Sequence, residues 1–202
     1  MTFTVDKSSS RGWTTAFDNS KNLRDITREA TISLSSVSFS DGVDELLSDS
    51  PDLAWRTDMT PPHHAIATFA KKTEVSFVML YLDYTRDDTY CPQEVRIDLG
   101  WGSNDWSHQV YRRMSQPKGW VKIRLVDRLD TPRRVMTLQM TVLKNHQKGR
   151  DCIIRHFRII GPQYRSHDSI HRLILGPGGG LGDVTKERQA KSQIINSHLT
   201  VR

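Results

Sequence analysis

Short segments that alternate polar and apolar residues recur along this chain, and they constrain its fold more than any other feature. About eight of them follow one another between residues 30 and 160, at spacings of roughly ten to fifteen residues. An alternation with period two is typical of a β-strand with one buried and one exposed face. No long helical pattern interrupts the series. The sequence therefore predicts an all-β fold, an antiparallel β-sandwich or jelly roll, and disfavours an α/β fold.

Three of the segments lead to more specific expectations. VSFVMLYL at 75–82 is apolar at nearly every position, which predicts a central strand covered on both faces. The run from Ala65 to Phe69 precedes it, and the charged AKKTE between the two runs predicts a turn. Residues 42–47, GVDELL, indicate a short helical turn, after which we expect Trp55 in the core.

The composition divides the chain into three parts. Residues 1–24 are rich in Ser, Thr, Asp, Asn and Lys and show no core periodicity, so we expect a flexible N-terminal arm. The folded domain is predicted at 25–162. Residues 163–202 are expected to form a flexible C-terminal tail, in which the glycine-rich 176–182 lacks the GK[ST] end of a nucleotide-binding loop and is interpreted as a linker.

The charges of the chain are unevenly distributed. Its net charge is +6, but residues 1–60 hold ten acidic and six basic side chains, whereas residues 104–172 hold fifteen basic and five acidic ones. A basic region can face phosphates or an acidic protein surface. Because no nucleic-acid-binding signature accompanies the charge, we expect no nucleic-acid partner. The longest apolar run is far below the roughly 18 residues of a membrane span, so we expect no membrane association.

The reactive side chains show no catalytic or metal-binding spacing. Cys91 and Cys152 form neither a CxxC pair nor a disulfide framework, which favours a reduced, intracellular protein. The histidines are scattered and include no HExxH, so we expect neither a metal nor another cofactor. The sequence has no GxSxG elbow and no recognisable set of nucleophile and base. We therefore expect a protein that is not an enzyme.

Two polar loops are the strongest candidates for a binding site. KNHQKGRD at 144–151 contains one glycine and no hydrophobic side chain, and pattern alone favours a solvated hairpin connection between strands over a binding loop. DYTRDDTY at 83–90 places Tyr84 and Tyr90 around charged residues, as binding loops often do. Three arginines of the flanking strands are interpreted as solvated face or rim residues: Arg134, Arg155 and Arg158.

Four segments in the same order closely resemble the Doc-domain family of the anaphase-promoting complex: GVDELLSDSPDLAWRTD, VMLYLDYTRDDTYCPQEVRI, PKGWVKIRL and TLQMTVLKNHQKGRDCIIRHFRI. The resemblance covers about residues 25–162. It implies a galactose-binding-domain-like jelly roll that acts as a non-catalytic substrate-recognition subunit of a cullin-RING ubiquitin ligase, in the nucleus and cytoplasm. Such a subunit forms a co-receptor for the destruction-box degron with a β-propeller coactivator and raises the processivity of ubiquitination in mitosis.

The resemblance also implies which residues bind the degron. They match the two polar loops: Asp83, Tyr84, Asp88, Thr89 and Tyr90 in one, and Asn145, His146, Gln147, Lys148, Gly149 and Arg150 in the other. Two of them depart from the vertebrate-like pattern, in which Thr89 is a serine and Lys148 an asparagine. The threonine keeps a hydroxyl group. The lysine replaces a group that donates and accepts with one that only donates, so a contact at Lys148 stays open.

The end of the chain carries one further expectation. Family tails end in Ile-Arg and dock into a groove of a tetratricopeptide-repeat subunit, and this chain ends in Val201 and Arg202. Valine keeps a β-branched apolar contact, and the guanidinium and terminal carboxylate are retained. Two alternatives stay open: a carbohydrate- or peptide-binding sandwich outside this ligase, and a purely structural subunit.

Overall fold

The computed structural model describes residues 2–3, 22–39, 42–58, 60–102, 105–126 and 131–163. Most of the predicted N-terminal arm and nearly all of the predicted tail, including Val201 and Arg202, lie outside these residues. The strands of the described part are β1 Thr2–Phe3, β2 Leu23–Asp25, β3 Ala30–Leu34, β4 Trp55–Arg56, β5 His63–Val75, β6 Phe77–Asp83, β7 Pro92–Gly102, β8 Asp105–Arg113, β9 Lys118–Arg124, β10 Arg133–Asn145, β11 Ile153–Ile154 and β12 His156–Pro162.

The strands form two large antiparallel sheets. The first sheet has the order β1-β9-β6-β12-β2, and the second sheet has the order β3-β5-β10-β7-β8. A small third sheet pairs β4 with β11. One hydrophobic core takes residues from both large sheets, including Leu80 of β6, Ile97 of β7 and Met140 of β10. The prediction of an all-β antiparallel sandwich is confirmed.

Strand β6 is the central strand that its apolar sequence predicts. It lies between β9 and β12, and its side chains alternate between the two faces of the first sheet. Val78 and Leu80 belong to the core between the sheets. Phe77 and Met79 belong to a second buried cluster, together with Trp120 and Ile160. Both faces of β6 are therefore covered.

The turn predicted at AKKTE is wrong. Strand β5 continues through these residues to Val75, and the chain changes sheets at the next residue, because β5 belongs to the second sheet and β6 to the first. A register shift opposite Val135 of β10 accommodates the extra residues of β5. Phe69 and Val75 are buried while Lys71 and Lys72 are exposed, so an extended strand solvates the charges without a turn.

The helices of the described residues are short. Val43–Leu46 forms the predicted helical turn, and the carboxylate of Glu45 accepts a 2.6 Å hydrogen bond from the Gly42 amide at its start. The predicted core position of Trp55 is confirmed, because its side chain is fully buried and its indole N–H donates to the Ser36 carbonyl at 2.8 Å. In the part of the chain that the structure describes, no helix has the length and apolar character needed to span a membrane.

Arg158 contradicts the prediction of a solvated strand-face residue. It is buried, and its guanidinium donates to Asp25 at 3.3 Å and to Asp49 at 3.2 Å. The reason is that β12 lies inside the first sheet, between β6 and β2, and not at an edge. Burial, together with the nearby Arg158 charge, lowers the pKa of His156 to about 3, so this histidine is neutral at physiological pH. Arg134 is exposed as predicted, and it pairs with Glu74.

Candidate functional site

Four connections lie at one end of the sandwich, which we call the loop end. They are the described parts of the β3–β5, β6–β7, β8–β9 and β10–β12 connections. The strand registers place them together, because Asn145 at the end of β10 lies opposite Pro92 at the start of β7. In the first sheet, Asp83 at the end of β6 lies opposite Lys118 at the start of β9. Both predicted polar loops are at this end.

The interpretation of 144–151 as a hairpin connection is wrong. Strand β10, which precedes the loop, pairs with β5 and β7 of the second sheet, whereas β12, which follows it, pairs with β6 and β2 of the first sheet. The loop therefore crosses from one sheet to the other. The 84–91 loop crosses in the opposite direction, from β6 to β7.

The two crossing loops contact each other directly. The His146 amide donates to the Cys91 carbonyl at 3.0 Å. The side-chain amide of Gln147 donates to the Tyr84 hydroxyl at 3.1 Å and to the Asp88 carboxylate at 2.7 Å. The rings of Tyr84 and His146 meet edge to face, with their centroids 4.8 Å apart. The structure thus brings the two sequence-predicted loops together as one surface.

Gly149 permits the closest approach of the two loops. A Cβ atom at this position would lie 1.9 Å from the carbonyl oxygen of Thr89, far inside van der Waals contact. The side-chain amide of Asn145 links the two ends of the 145–151 loop, because it donates to the carbonyls of Gly149 at 3.3 Å and Asp151 at 2.7 Å. Only glycine fits this contact without moving one loop away from the other.

Three non-glycine residues of the loops have a left-handed backbone. The φ angle is 42° at Asp88, 52° at Gln147 and 62° at Lys148. Such conformations are uncommon outside glycine and are frequent at binding sites, where surrounding contacts hold them. Here the hydrogen bond from Gln147 to Asp88 joins two of these residues directly. The loops are therefore held in one specific shape.

The eleven sequence-predicted residues divide by their exposure. Asp83, Asn145 and His146 are buried. The Asp83 carboxylate accepts from the amide of Thr85 at 3.1 Å and from its hydroxyl at 2.5 Å, and so shapes the start of the 84–91 loop. Tyr84, Thr89 and Gly149 are half-buried. The side chains displayed to solvent are those of Asp88, Tyr90, Gln147, Lys148 and Arg150.

Two buried polar atoms of the site have no hydrogen-bond partner among the described residues. They are Oδ1 of Asn145 and Nε2 of His146. Burial lowers the pKa of His146, although the charge of Asp88 opposes the effect, so the ring is neutral at physiological pH. An unmet hydrogen bond at a buried atom costs about 1–3 kcal/mol. The site therefore retains unused hydrogen-bonding capacity at two buried atoms.

Sequence reasoning missed the buried ion pair that supports the site. Arg155, predicted as a solvated rim residue, donates to both carboxylate oxygens of Asp87 and to the Pro51 carbonyl at 2.9 Å. Its side chain and that of Asp87 are only 6% and 3% exposed. The pair joins the β10–β12, β6–β7 and β3–β5 connections. No local pattern could reveal it, because Arg155 and Asp87 are 68 residues apart in sequence.

The described part of the loop end is rich in hydrogen-bonding groups. In the described ranges, no three His, Cys, Asp or Glu side chains come together as a possible metal site. Cys91 and Cys152 are buried next to the loops. Burial raises the pKa of Cys91 to about 12 and also raises that of Cys152, so both are protonated, inert thiols.

The sequence matches a known protein family over most of its length. A family model described as anaphase-promoting complex, subunit 10 (APC10) matches residues 4–186. The anaphase-promoting complex subunit 10 of Caenorhabditis elegans is 57% identical over 197 residues, which cover 98% of this chain and 93% of that protein. The human protein of the same name is 34% identical over 142 residues, which cover 69% of this chain and 76% of that protein.

The fold is similar to solved structures of low sequence identity. The family 32 CBM from Clostridium perfringens NanJ, solved in complex with galactose, superposes with a TM-score of 0.56 and 14% identity, and covers 68% of this chain and 98% of that chain. At this identity the likeness shows the fold alone. It confirms the expected galactose-binding-domain-like jelly roll.

Proposed function

The chain belongs to the anaphase-promoting complex subunit 10 family, and on that premise we propose that it is the non-catalytic substrate-recognition subunit of this ubiquitin ligase. In the proposed role, the loop end forms a co-receptor for the destruction-box degron with a β-propeller coactivator. The subunit thereby raises the processivity of ubiquitination in mitosis. The observation that carries the proposal is the junction of the two crossing loops through Gln147, Tyr84 and Asp88.

The chemistry of the displayed side chains suits an extended peptide. A degron presents backbone N–H and C=O groups and polar side chains, which need partners that donate and accept. The Tyr90 hydroxyl can do both, while Lys148 and Arg150 donate and Asp88 accepts. Gln147 offers its amide oxygen as an acceptor, because Nε2 already donates to Tyr84 and Asp88. The side chain of Tyr90, which is 46% exposed, also supplies apolar area.

The proposed affinity of the loop end alone for the degron is low. Each hydrogen bond contributes about 1 kcal/mol net, so a small exposed surface of this kind gives low affinity alone. A coactivator that holds another part of the same peptide raises the overall affinity through a high effective concentration. In this account the displayed residues contact the degron, and the buried Asp83, Asn145 and His146 keep the loops in their binding shape.

The remaining partners and the location are also part of the proposal. We propose that the C-terminal Val201 and Arg202, which lie outside the described residues, dock on a tetratricopeptide-repeat subunit of the complex. The valine side chain, the guanidinium and the terminal carboxylate are the groups that such a groove would bind. The proposed locations are the nucleus and the cytoplasm.

Replacing Gln147 with alanine tests the proposal. We expect the variant to enter the complex normally but to lower the number of ubiquitins added per substrate-binding event at least about fivefold, the factor that corresponds to about 1 kcal/mol. The measurement is a single-turnover ubiquitination assay with a destruction-box substrate.

Two further variants are measured in the same assay. Gln163→Ala is the matched control, because Gln163 is an exposed glutamine at the opposite end of the sandwich. A chain without residues 199–202 should enter the complex poorly, which separates assembly from degron binding. Equal processivity of the Gln147→Ala and Gln163→Ala complexes would contradict the proposed co-receptor role.

A further inference from the structure

Strand β8 is a long edge strand with one unused hydrogen-bonding side. It spans nine residues, Asp105–Arg113, and lies at the end of the second sheet, where it pairs with β7. In an antiparallel edge strand, every second residue directs its N–H and C=O away from the sheet. No other strand of the described residues pairs with that side of β8. The edge can therefore accept another strand.

Residues 108–111 of β8 lack the features that usually protect an edge. Natural edge strands are kept from pairing by charged side chains, proline, strong bulges or short length. Register shifts against β7 interrupt the pairing near Trp106, but residues 108–113 pair regularly with β7. Residues 108–111, HQVY, carry no Lys, Arg, Asp, Glu or Pro. The strand at the opposite edge, β3, has only five residues, so it offers a much shorter edge. The length and the neutral centre of β8 distinguish it as a pairing surface.

Exposed aromatic side chains flank this edge. Tyr111 is 60% exposed and Trp101, which precedes β8 in the chain, is 43% exposed. Lys72 lies over the Trp101 ring at 4.8 Å from its centroid. Exposed aromatic residues are enriched at protein interfaces, where they bury large areas with little loss of conformational entropy.

The charges along the edge are mainly positive. Arg113 is exposed, and Arg133 contacts Nε2 of His108 at 2.6 Å. The Nε of Arg112 is buried and has no hydrogen-bond partner among the described residues. Among the residues that the structure describes, neither these three arginines nor Lys72 forms an ion pair with a carboxylate. The nearby Glu94 is paired with Lys144 at 3.1 Å. An acidic partner would therefore complement the edge.

We infer that the free edge of β8 binds an extended acidic segment of another subunit of the complex, which adds to the second sheet as a sixth strand. Backbone hydrogen bonds would provide the affinity, and carboxylates that meet Arg112, Arg113 and Arg133 would provide the specificity. The inference rests on the proposed function, because it takes the partner from the same complex. It assigns to the basic part of the chain a role that the loop end does not explain.

Hydrogen exchange of the backbone amides tests this inference on the full chain, alone and within the purified complex. In the regular stretch of β8 from His108 to Arg113, amides that bond to β7 alternate with amides on the free edge. On assembly, the free-edge amides of residues 108–113 should exchange at least about tenfold more slowly. Unchanged exchange of β8 in a complex that contains the chain would overturn the inference and leave the degron co-receptor role standing.

A charge variant provides an independent measurement. Arg113→Gln should speed dissociation of the chain from the complex about threefold or more, and should reduce the salt dependence of that dissociation. Arg28→Gln is the control, because Arg28 is an exposed cation just before β3, at the opposite edge of the same sheet. Equal dissociation rates of the two variants would overturn the inference that the partner segment is acidic. The degron-binding loops are unchanged in both variants, so their processivity per bound chain should stay normal.

Discussion

Replacing Arg155 with alanine should lower the free energy of unfolding by about 3–5 kcal/mol. The change leaves the Asp87 carboxylate buried without its counter-charge and leaves the Pro51 carbonyl without its donor. Three connections of the loop end lose their common contact, so the loops should also loosen. Denaturant unfolding of the isolated chain measures the change in stability. Limited proteolysis measures the local effect, because a protease should cut the 84–91 loop faster in the variant than in the wild type.

An exposed ion pair between two of these three connections is the matched control. Arg86 donates to Asp52 at 3.0 Å, with the two side chains 47% and 76% exposed. Because solvent screens such a pair, Arg86→Ala should cost no more than about 1 kcal/mol. An Arg155→Met, Asp87→Leu double variant should recover most of the lost stability, since it leaves no unpaired charge in the interior. An Arg155→Ala chain as stable as Arg86→Ala would show that the buried pair does not support the loop end.

Gly149→Ala should separate the two polar loops. The added methyl group cannot remain 1.9 Å from the Thr89 carbonyl oxygen, so one backbone has to move, at an expected cost of about 1–3 kcal/mol. The movement breaks the geometry in which Gln147 reaches Tyr84 and Asp88. We therefore expect the variant to enter the complex normally. Its ubiquitination processivity should fall to the level expected when neither loop contacts the degron.

Gly102→Ala is the control for this substitution. A Cβ atom at Gly102 would have no heavy atom within 4 Å, so the variant should keep both its stability and its processivity. If Gly149→Ala behaves like Gly102→Ala in both measurements, the close contact between the loops is not needed for the proposed function. Thermal unfolding and the single-turnover assay together decide between the two outcomes.

The sequence predicted the strands well because their signal is local. The alternation along Val135 to Val142 and the apolar run at 75–82 both report burial of neighbouring residues. The structure places the first in β10 and residues 77–82 of the second in β6, while Val75 ends β5. The helical turn at 43–46 and the buried Trp55 follow from equally local patterns. Local periodicity was sufficient for the fold class.

Pairings between distant segments could not be predicted in this way. The period of a strand does not say which sheet the strand joins, so AKKTE was interpreted as a turn and 144–151 as a possible hairpin connection. Arg155 and Arg158 show the same limit: each looks like an ordinary strand arginine, and its buried state depends on carboxylates far away in sequence. Resemblance to the family identified the residues of the candidate site, but not which of them are buried and which are displayed.

The most direct test of the degron co-receptor is to map the contacts of a destruction-box peptide on this chain. A labelled chain bound to the β-propeller coactivator is titrated with the peptide, and the amide chemical shifts are recorded. The account predicts that the shift changes concentrate at residues 84–90 and 146–150 and disappear with a peptide whose destruction-box residues are scrambled. Shift changes confined to other surfaces, or none under conditions in which the coactivator binds the peptide, would contradict it.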